Sequence, residues 1–265
     1  KARINTASFF QCLIKNDITF YSGVPDSLLK NICAYISDYA DSKNHIIAAN
    51  EGNALAIGIG YHLATGKLPL IYMQNSGLGN IVNPLLSLSD PEVYSIPMLL
   101  MIGWRGQPGI KDEPQHIKQG KIQIELLNTM DIPYEIISKD RQDFKSKIFN
   151  CIYRAKDENR PTALLIKKGT FDKYGETVLL DEDQGMKREE ALEIILDNLD
   201  DDTIVVSTTG KTSREIFEIR DKNNQSHQQD FLTVGSMGHC SSIALGIALA
   251  KPHRQVVCID GDGAM

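Results

Sequence analysis

Two patterns of hydrophobic positions alternate along the chain. Short, nearly continuous apolar runs of strand length occupy 18–21, 45–49, 68–73, 98–102, 134–137 and 163–166. Between them the spacing is helical. Phe10, Leu13 and Ile14 share one face of a helix over 7–16, and further helices are predicted over 25–39, 53–65, 77–88, 115–130 and 141–155. Pro25 stands at the start of the second, where a missing N–H does little harm. Apolar strands between amphipathic helices predict a parallel sheet covered on both faces.

The pattern breaks at 171–186, a polar stretch containing Asp181-Glu182-Asp183-Gln184-Gly185, and then restarts. Helices are predicted over 187–199, 211–220 and 241–250, strands over 203–207, 231–234 and 255–259, and a polar loop over 223–230. The fold class is therefore α/β, with two parallel-sheet units joined by a linker. Three short strands are few for an independent core, so further chain is expected beyond Met265.

Composition narrows the picture. A length of 265 residues admits one large or two ordinary domains, and 42% apolar with 23% charged residues is the balance of a soluble globular protein. A net charge of −6 argues against nucleic acid as a partner. No apolar run is long enough to span a bilayer, and no signal-peptide pattern opens the sequence. Five cysteines are scattered without a Cys-x-x-Cys pair, which reads as reduced packing cysteines in a cytoplasmic setting.

Candidate chemistry gathers where strands give way to helices. Glu51 follows the apolar run 45–49 and opens a helix of small residues, Glu51-Gly52-Asn53-Ala54. A carboxylate between a buried strand and a buried helix is costly to desolvate unless something binds its proton. Thr209-Gly210-Lys211-Thr212-Ser213 has the tail of a phosphate-binding loop. The glycine that motif needs five positions before Gly210 is Val205, which argues against nucleotide hydrolysis. The turn can either cap its helix or present N–H groups to a phosphate. Gly235-Ser236-Met237-Gly238 permits close backbone approach to a ligand or tight helix packing. Asp262, between Gly261 and Gly263 at a strand's end, suits Mg²⁺ held with a phosphate. Arg105, Lys111 and His116 form a basic segment in an acidic protein, either a solvated loop or, for Arg105 and His116, an expected anion-facing pair. Asn75 lies in the polar turn 74–80, which either lines the same cleft or caps a helix.

Taken together, these blocks resemble the thiamin diphosphate-dependent decarboxylases. Asn50-Glu51-Gly52-Asn53-Ala54 is similar to the pyrimidine-domain motif, and Gly235-Ser236-Met237-Gly238 and Gly261-Asp262-Gly263 to diphosphate-domain motifs. Gly23-Val24-Pro25-Asp26-Ser27, 74–80, Gly103-Trp104-Arg105-Gly106, Asp112-Glu113-Pro114-Gln115-His116 and 208–214 resemble the branch acting on 2-oxo acids that carry a phosphonate or sulfonate.

The resemblance implies a pyrimidine-binding domain over 1–170, a linker over 171–186 and an incomplete diphosphate-binding domain over 187–265. It implies thiamin diphosphate and Mg²⁺ as cofactors and a homo-oligomer with its site at a subunit interface. Glu51 would hydrogen-bond the pyrimidine nitrogen. The Gly235 carbonyl would accept from the amino group, Met237 would wedge beneath the cofactor, and Ser236 would complete that loop. Gly210, Thr212 and Ser213 would donate to the diphosphate, with Asp262 holding the metal between Gly261 and Gly263. Arg105, Lys111 and Asn75 would bind substrate, and Asp26 and His116 would handle protons. The implied reaction releases CO₂ from 3-phosphonopyruvate to leave phosphonoacetaldehyde, in phosphonate biosynthesis. The alternatives are the same chemistry on sulfopyruvate and a non-catalytic thiamin-binding or regulatory subunit. The family's metal motif continues to a pair of asparagines that this sequence does not reach, so this chain alone is expected to be inactive.

Overall fold

In the computed structural model, which describes residues 2–139, 143–175 and 185–265, the chain forms two compact units, Lys1–Thr177 and Val178–Met265. The elements of the first are α1 (Thr6–Lys15), β1 (Tyr21–Gly23), α2 (Lys30–Tyr39), β2 (His45–Ile47), α3 (Glu51–Thr65), β3 (Leu70–Gln74), α4 (Leu78–Pro84), β4 (Met98–Gly103), α5 (Pro114–Thr129), β5 (Tyr134–Ile137), α6 (Phe144–Asp157) and β6 (Pro161–Ile166). Its strands pair in the order β2-β1-β3-β4-β6-β5, all parallel.

Successive strand residues point to opposite faces, so each central strand feeds two cores. Leu70 and Tyr72 of β3 and Leu99 and Met101 of β4 pack with α1, α2 and α6. Ile71 and Met73, with Leu100 and Ile102, pack with α3, α4 and α5. This double burial is why the central strands read as continuous apolar runs.

Several boundaries differ from the predicted ones. The helix over 25–39 begins only at Lys30, because the Asp26 carboxylate accepts the Leu28 N–H at 3.1 Å and holds a turn there. The strand over 18–21 moves to Tyr21–Gly23; Ile18 and Phe20 are buried before sheet pairing begins. The run 45–49, predicted as a buried strand, is instead the edge strand β2, and Ile47 is 59% exposed. The helix over 77–88 divides into a 3₁₀ turn (Asn75–Gly77), α4 and a π turn (Leu85–Ser89). Pro84 lies inside it and cannot donate a helical hydrogen bond. Residues 140–142, at the start of the helix predicted over 141–155, lie outside the described residues, as does 176–184 of the predicted linker. The linker's first residues pack with the first unit: Phe171 bridges to Ile4, and the Asp172 carboxylate accepts the Thr6 N–H at 2.8 Å.

The second unit contains α7 (Arg188–Asp197), β7 (Ile204–Ser207), α8 (Lys211–Lys222), β8 (Asp230–Leu232), α9 (Cys240–Ala250) and β9 (Val256–Ile259). Its strands are parallel in the order β8-β7-β9. Val205 packs with α7 and α8 on one face, and Val206 with Cys240 and Ala244 of α9 on the other. All five cysteines are free, with four buried. No described helix is long and apolar enough to cross a membrane.

Leu100 is fully buried in the middle of β4. Leu100→Ala is expected to destabilise the first unit by about 2–5 kcal/mol in urea denaturation, through lost burial and the cavity left behind. A loss below about 1 kcal/mol would contradict this account of the core.

Candidate active site

Because the strands are parallel, each releases its chain at the same edge, the usual place for ligands on open α/β sheets. In the first unit that edge collects Asp26 after β1, Glu51 after β2, Asn75 after β3 and Arg105 after β4.

Glu51 is the first residue of α3. Asn50 caps the helix, its Oδ1 accepting the Asn53 N–H at 2.9 Å. The acidic side chain therefore stands at the positive end of the helix dipole. Asn80 Nδ2 donates to Glu51 Oε2 at 2.7 Å. Gly77 passes directly beneath the carboxylate; a Cβ there would lie 2.3 Å from Oε1. Glu51 is half-buried rather than deeply buried, since the strand before it lies at the sheet's edge.

Asp26 is the deeply buried carboxyl of this edge, 6% exposed. Oδ2 accepts the Leu28 N–H, while Oδ1 has no partner. Gly103 makes room for it, for a Cβ there would lie 2.4 Å from Oδ2. Burial raises its pKa to about 6 against the opposing pull of Arg105 and of backbone N–H groups at 27–29. His116, in the first turn of α5, is pushed below its ordinary range by burial and by the Arg105 charge.

Two expected substrate ligands turn out to be engaged within the protein. Asn75 clamps the Arg105 backbone, its Nδ2 donating to the Arg105 carbonyl at 2.9 Å and its Oδ1 accepting the Arg105 N–H at 3.1 Å. The Arg105 guanidinium is held in a fork by Asp112, with Nε at 2.9 Å and Nη2 at 2.5 Å from the carboxylate, and Nη1 donates to Ser27 Oγ at 2.9 Å. Arg105 is thus a paired cation, not a free one. Lys111 is exposed, and its carbonyl accepts from Lys168 Nζ at 3.4 Å. Sequence reasoning missed Asp112 and Asn80 as partners. The available signals were an acid seven residues beyond Arg105 in a Gly/Pro loop, and an amide inside the 74–80 block.

In the second unit the same edge gathers the loops after β7, β8 and β9. Gly210 caps α8 with a φ of +97°, a conformation open to glycine. The first-turn N–H groups of α8 then lack helical acceptors and present a positive end. The Ser213 hydroxyl is consumed internally, donating to the Thr208 carbonyl at 2.7 Å with Ser207 Oγ at 2.6 Å, so only its backbone N–H remains for a ligand. Thr212 is buried beside it. Gly235, Ser236 and Met237 follow β8, with Ser236 at a φ of +56°. This loop lies against the turn Gly261–Ala264: a Cβ on Gly263 would lie 4.0 Å from Met237 Sδ, and one on Gly238 would lie 3.4 Å from the Ala264 carbonyl. Asp262 is exposed in that turn. Nearby, Cys240 and Cys258 bring their sulfurs within 3.4 Å, beside Asp260.

Within the second unit, the helix N-terminus behind the positive-φ Gly210 and the exposed Asp262 fit a diphosphate group and its cation. Within the first unit, the helix-borne Glu51 carboxylate suits a heterocyclic nitrogen.

Comparison with known proteins gives the class. The N-terminal domain of thiamine pyrophosphate enzymes matches residues 6–130, and their C-terminal domain matches residues 208–265. The chain belongs to the thiamine pyrophosphate enzymes. Within them it is 36% identical over 264 residues to a phosphonopyruvate decarboxylase of Streptomyces viridochromogenes, covering 94% of this chain and 64% of that one. It is 35% identical over 125 residues to the sulfopyruvate decarboxylase subunit alpha of Methanococcus maripaludis, covering 47% of this chain and 72% of that one. The chain thus spans less than two thirds of the phosphonopyruvate decarboxylase it matches. The solved benzoylformate decarboxylase of Polynucleobacter necessarius shares the fold, with a TM-score of 0.50 at 15% identity over 78% of this chain and 39% of that one.

The pKa of Asp26 has a consequence for stability. A carboxyl titrating near 6 when folded and near 3.8 as its ordinary value holds its proton longer in the folded state. Its contribution therefore falls as pH rises from about 4 to about 6, by about 3 kcal/mol at most, and is level above that. Asp26→Asn is expected to remove this slope and to stabilise the protein at pH 7. Urea denaturation of both proteins from pH 4 to 7 checks this; an unchanged difference across the range would refute it.

Proposed function

We propose that this chain carries the thiamin diphosphate- and Mg²⁺-dependent decarboxylation of 3-phosphonopyruvate. The observation that supports it most is the Glu51 carboxylate at the head of α3, braced by Asn80 and Gly77. The cofactor supplies the carbon nucleophile that adds to a 2-oxo group and takes up the electrons left by CO₂.

The residues of this chain do the rest. Glu51 binds the pyrimidine ring nitrogen and shares its proton, with its position fixed by the Asn80 amide. The first turn of α8, behind Gly210, receives the diphosphate through the N–H groups of Thr212 and Ser213. Asp262 binds Mg²⁺ in the turn between Gly261 and Gly263. The Gly235–Met237 loop supports the cofactor, with the Gly235 carbonyl as acceptor, Ser236 bending the loop and the Met237 thioether as an adaptable apolar filler. Asp26, buried and titrating near 6, and His116 hold and return the proton that replaces CO₂. Lys111, exposed on the loop after β4, meets the phosphonate, while Arg105 is already paired.

Sulfopyruvate is the second substrate to test, because the Methanococcus relative named for it is 35% identical over 125 residues. A non-catalytic subunit is disfavoured, since a scaffold needs neither Glu51 nor Asp262. A homo-oligomer is the assembly this reading favours. Leu63 of α3 and Leu249 of α9 are 70% and 75% exposed, on helices apolar on most sides.

The full-length gene product, given thiamin diphosphate and Mg²⁺, is expected to release CO₂ from phosphonopyruvate faster than from sulfopyruvate. The reverse preference would change the substrate, and release from neither would overturn the proposal. Glu51→Gln is expected to bind the cofactor and lose about 100-fold or more of its turnover, in the range of a lost acid–base group; near-normal turnover would remove Glu51 from the chemistry.

A further inference from the structure

Arg105, expected to face an anion, is held in place by groups of the protein itself. Asn75 clamps its backbone from both sides. Asp112, its side chain 4% exposed, grips the Nε–Nη2 edge and also accepts the Gly106 and Glu113 N–H groups at 2.9 and 2.8 Å. The loop has no slack. A Cβ on Gly106 would lie within bonding range of the His116 carbonyl, and one on Gly120 within bonding range of the Gly106 carbonyl. Trp104 Nε1 donates to the Gly120 carbonyl at 2.9 Å. The remaining terminal nitrogen, Nη1, is tied to Ser27, the residue after Asp26. The guanidinium is therefore suspended between a buried carboxylate that it fully engages and a second, Asp26, whose Oδ1 has no partner.

We propose that Asp112 is a positioning residue: it holds Arg105 as a fixed, partly neutralised neighbour of the Asp26 carboxyl, and the pair sets the pH at which Asp26 exchanges its proton. A guanidinium without Asp112 would turn its whole charge toward Asp26 and hold it ionised. A site without Arg105 would lose the charge that opposes burial, and Asp26 would hold its proton to higher pH. The paired arrangement lies between these limits and agrees with Asp26 titrating near 6. It also explains why Asp112 is held far below the ordinary carboxylate range by its bond to Arg105. Among the described residues, the Cys33 thiol of α2 also faces Asp26, and burial keeps it protonated, with a pKa of about 12. Glu113 adds to the charges that hold Arg105 protonated, and Arg105 in turn lowers the pKa of His116. The pair's effect on turnover rests on Asp26 being the proton carrier of the proposed reaction; its effect on Asp26 itself does not.

The test is a titration of Asp26 by infrared or ¹³C NMR in aspartate-labelled full-length protein, the signal assigned by its loss in Asp26→Asn. Asp112→Asn is expected to move the Asp26 midpoint to lower pH, and Arg105→Gln to higher pH, each by about 1 unit or more. Asp112→Glu, which keeps the carboxylate, should stay closer to wild type than Asp112→Asn does. Asp112→Ser, which can still accept a backbone N–H, replaces Asp112→Asn if that variant does not fold. Loosening of the loop alone would not produce shifts of opposite sign. Two shifts in one direction, or none, would overturn the proposal even in an active decarboxylase. Opposite shifts in a protein that decarboxylates nothing would uphold it and defeat the proposed function instead.

Discussion

Everything at the candidate site depends on the parallel register of β1, β3 and β4. Gly23 pairs with Tyr72, and Gln74 with Gly103, so the three strands end almost level. Asp26, Asn75 and Arg105 leave the sheet within a few residues of those ends. None of these polar groups could be buried there alone without a large desolvation penalty. They are tolerated because each is set against another: the amide of Asn75 against the Arg105 backbone, and the guanidinium between Asp112 and Ser27. Gly103 completes the arrangement by leaving space where a side chain would displace Asp26.

The two carboxylates of this edge are held in different ways, and the difference follows from topology. Glu51 follows an edge strand and remains partly open to solvent at a helix N-terminus, where a neighbouring amide binds it. Asp26 follows β1, inside the sheet, and is sealed on nearly all sides. One strand's difference in sheet order thus separates a carboxylate partly open to solvent from one whose pKa burial raises to about 6. The second unit repeats the edge logic largely with backbone, since its loops after β7, β8 and β9 offer N–H groups and glycine turns, with Asp262 and Lys211 exposed as charges.

Much of the fold was legible because the central strands are buried on both faces. Apolar runs such as 98–102 could be nothing but sheet interior or buried helix, and their length chose between these. Edge strand β2 was misread as buried because Ile46 and Ile47 are apolar whatever their exposure. The start of α2 was hidden by an Asp26 turn, a competition between side chain and helix that periodicity does not register. At the site, the residue types and their blocks were legible, but their pairings were not. Asp112 reaches Arg105 across a Gly/Pro loop with no period to count, and the Ser213 hydroxyl turns inward to a carbonyl fixed by β7.

The central claim is that Glu51 receives the pyrimidine while the N-terminus of α8 and Asp262 receive the diphosphate and its metal. A crystal structure of the full-length protein grown with thiamin diphosphate and Mg²⁺ tests it most directly. The account requires the Glu51 carboxylate within hydrogen-bonding distance of a pyrimidine ring nitrogen, and a diphosphate oxygen on the N–H groups after Gly210. A cofactor bound with Glu51 still engaged only by Asn80, or with its diphosphate away from α8, would contradict it.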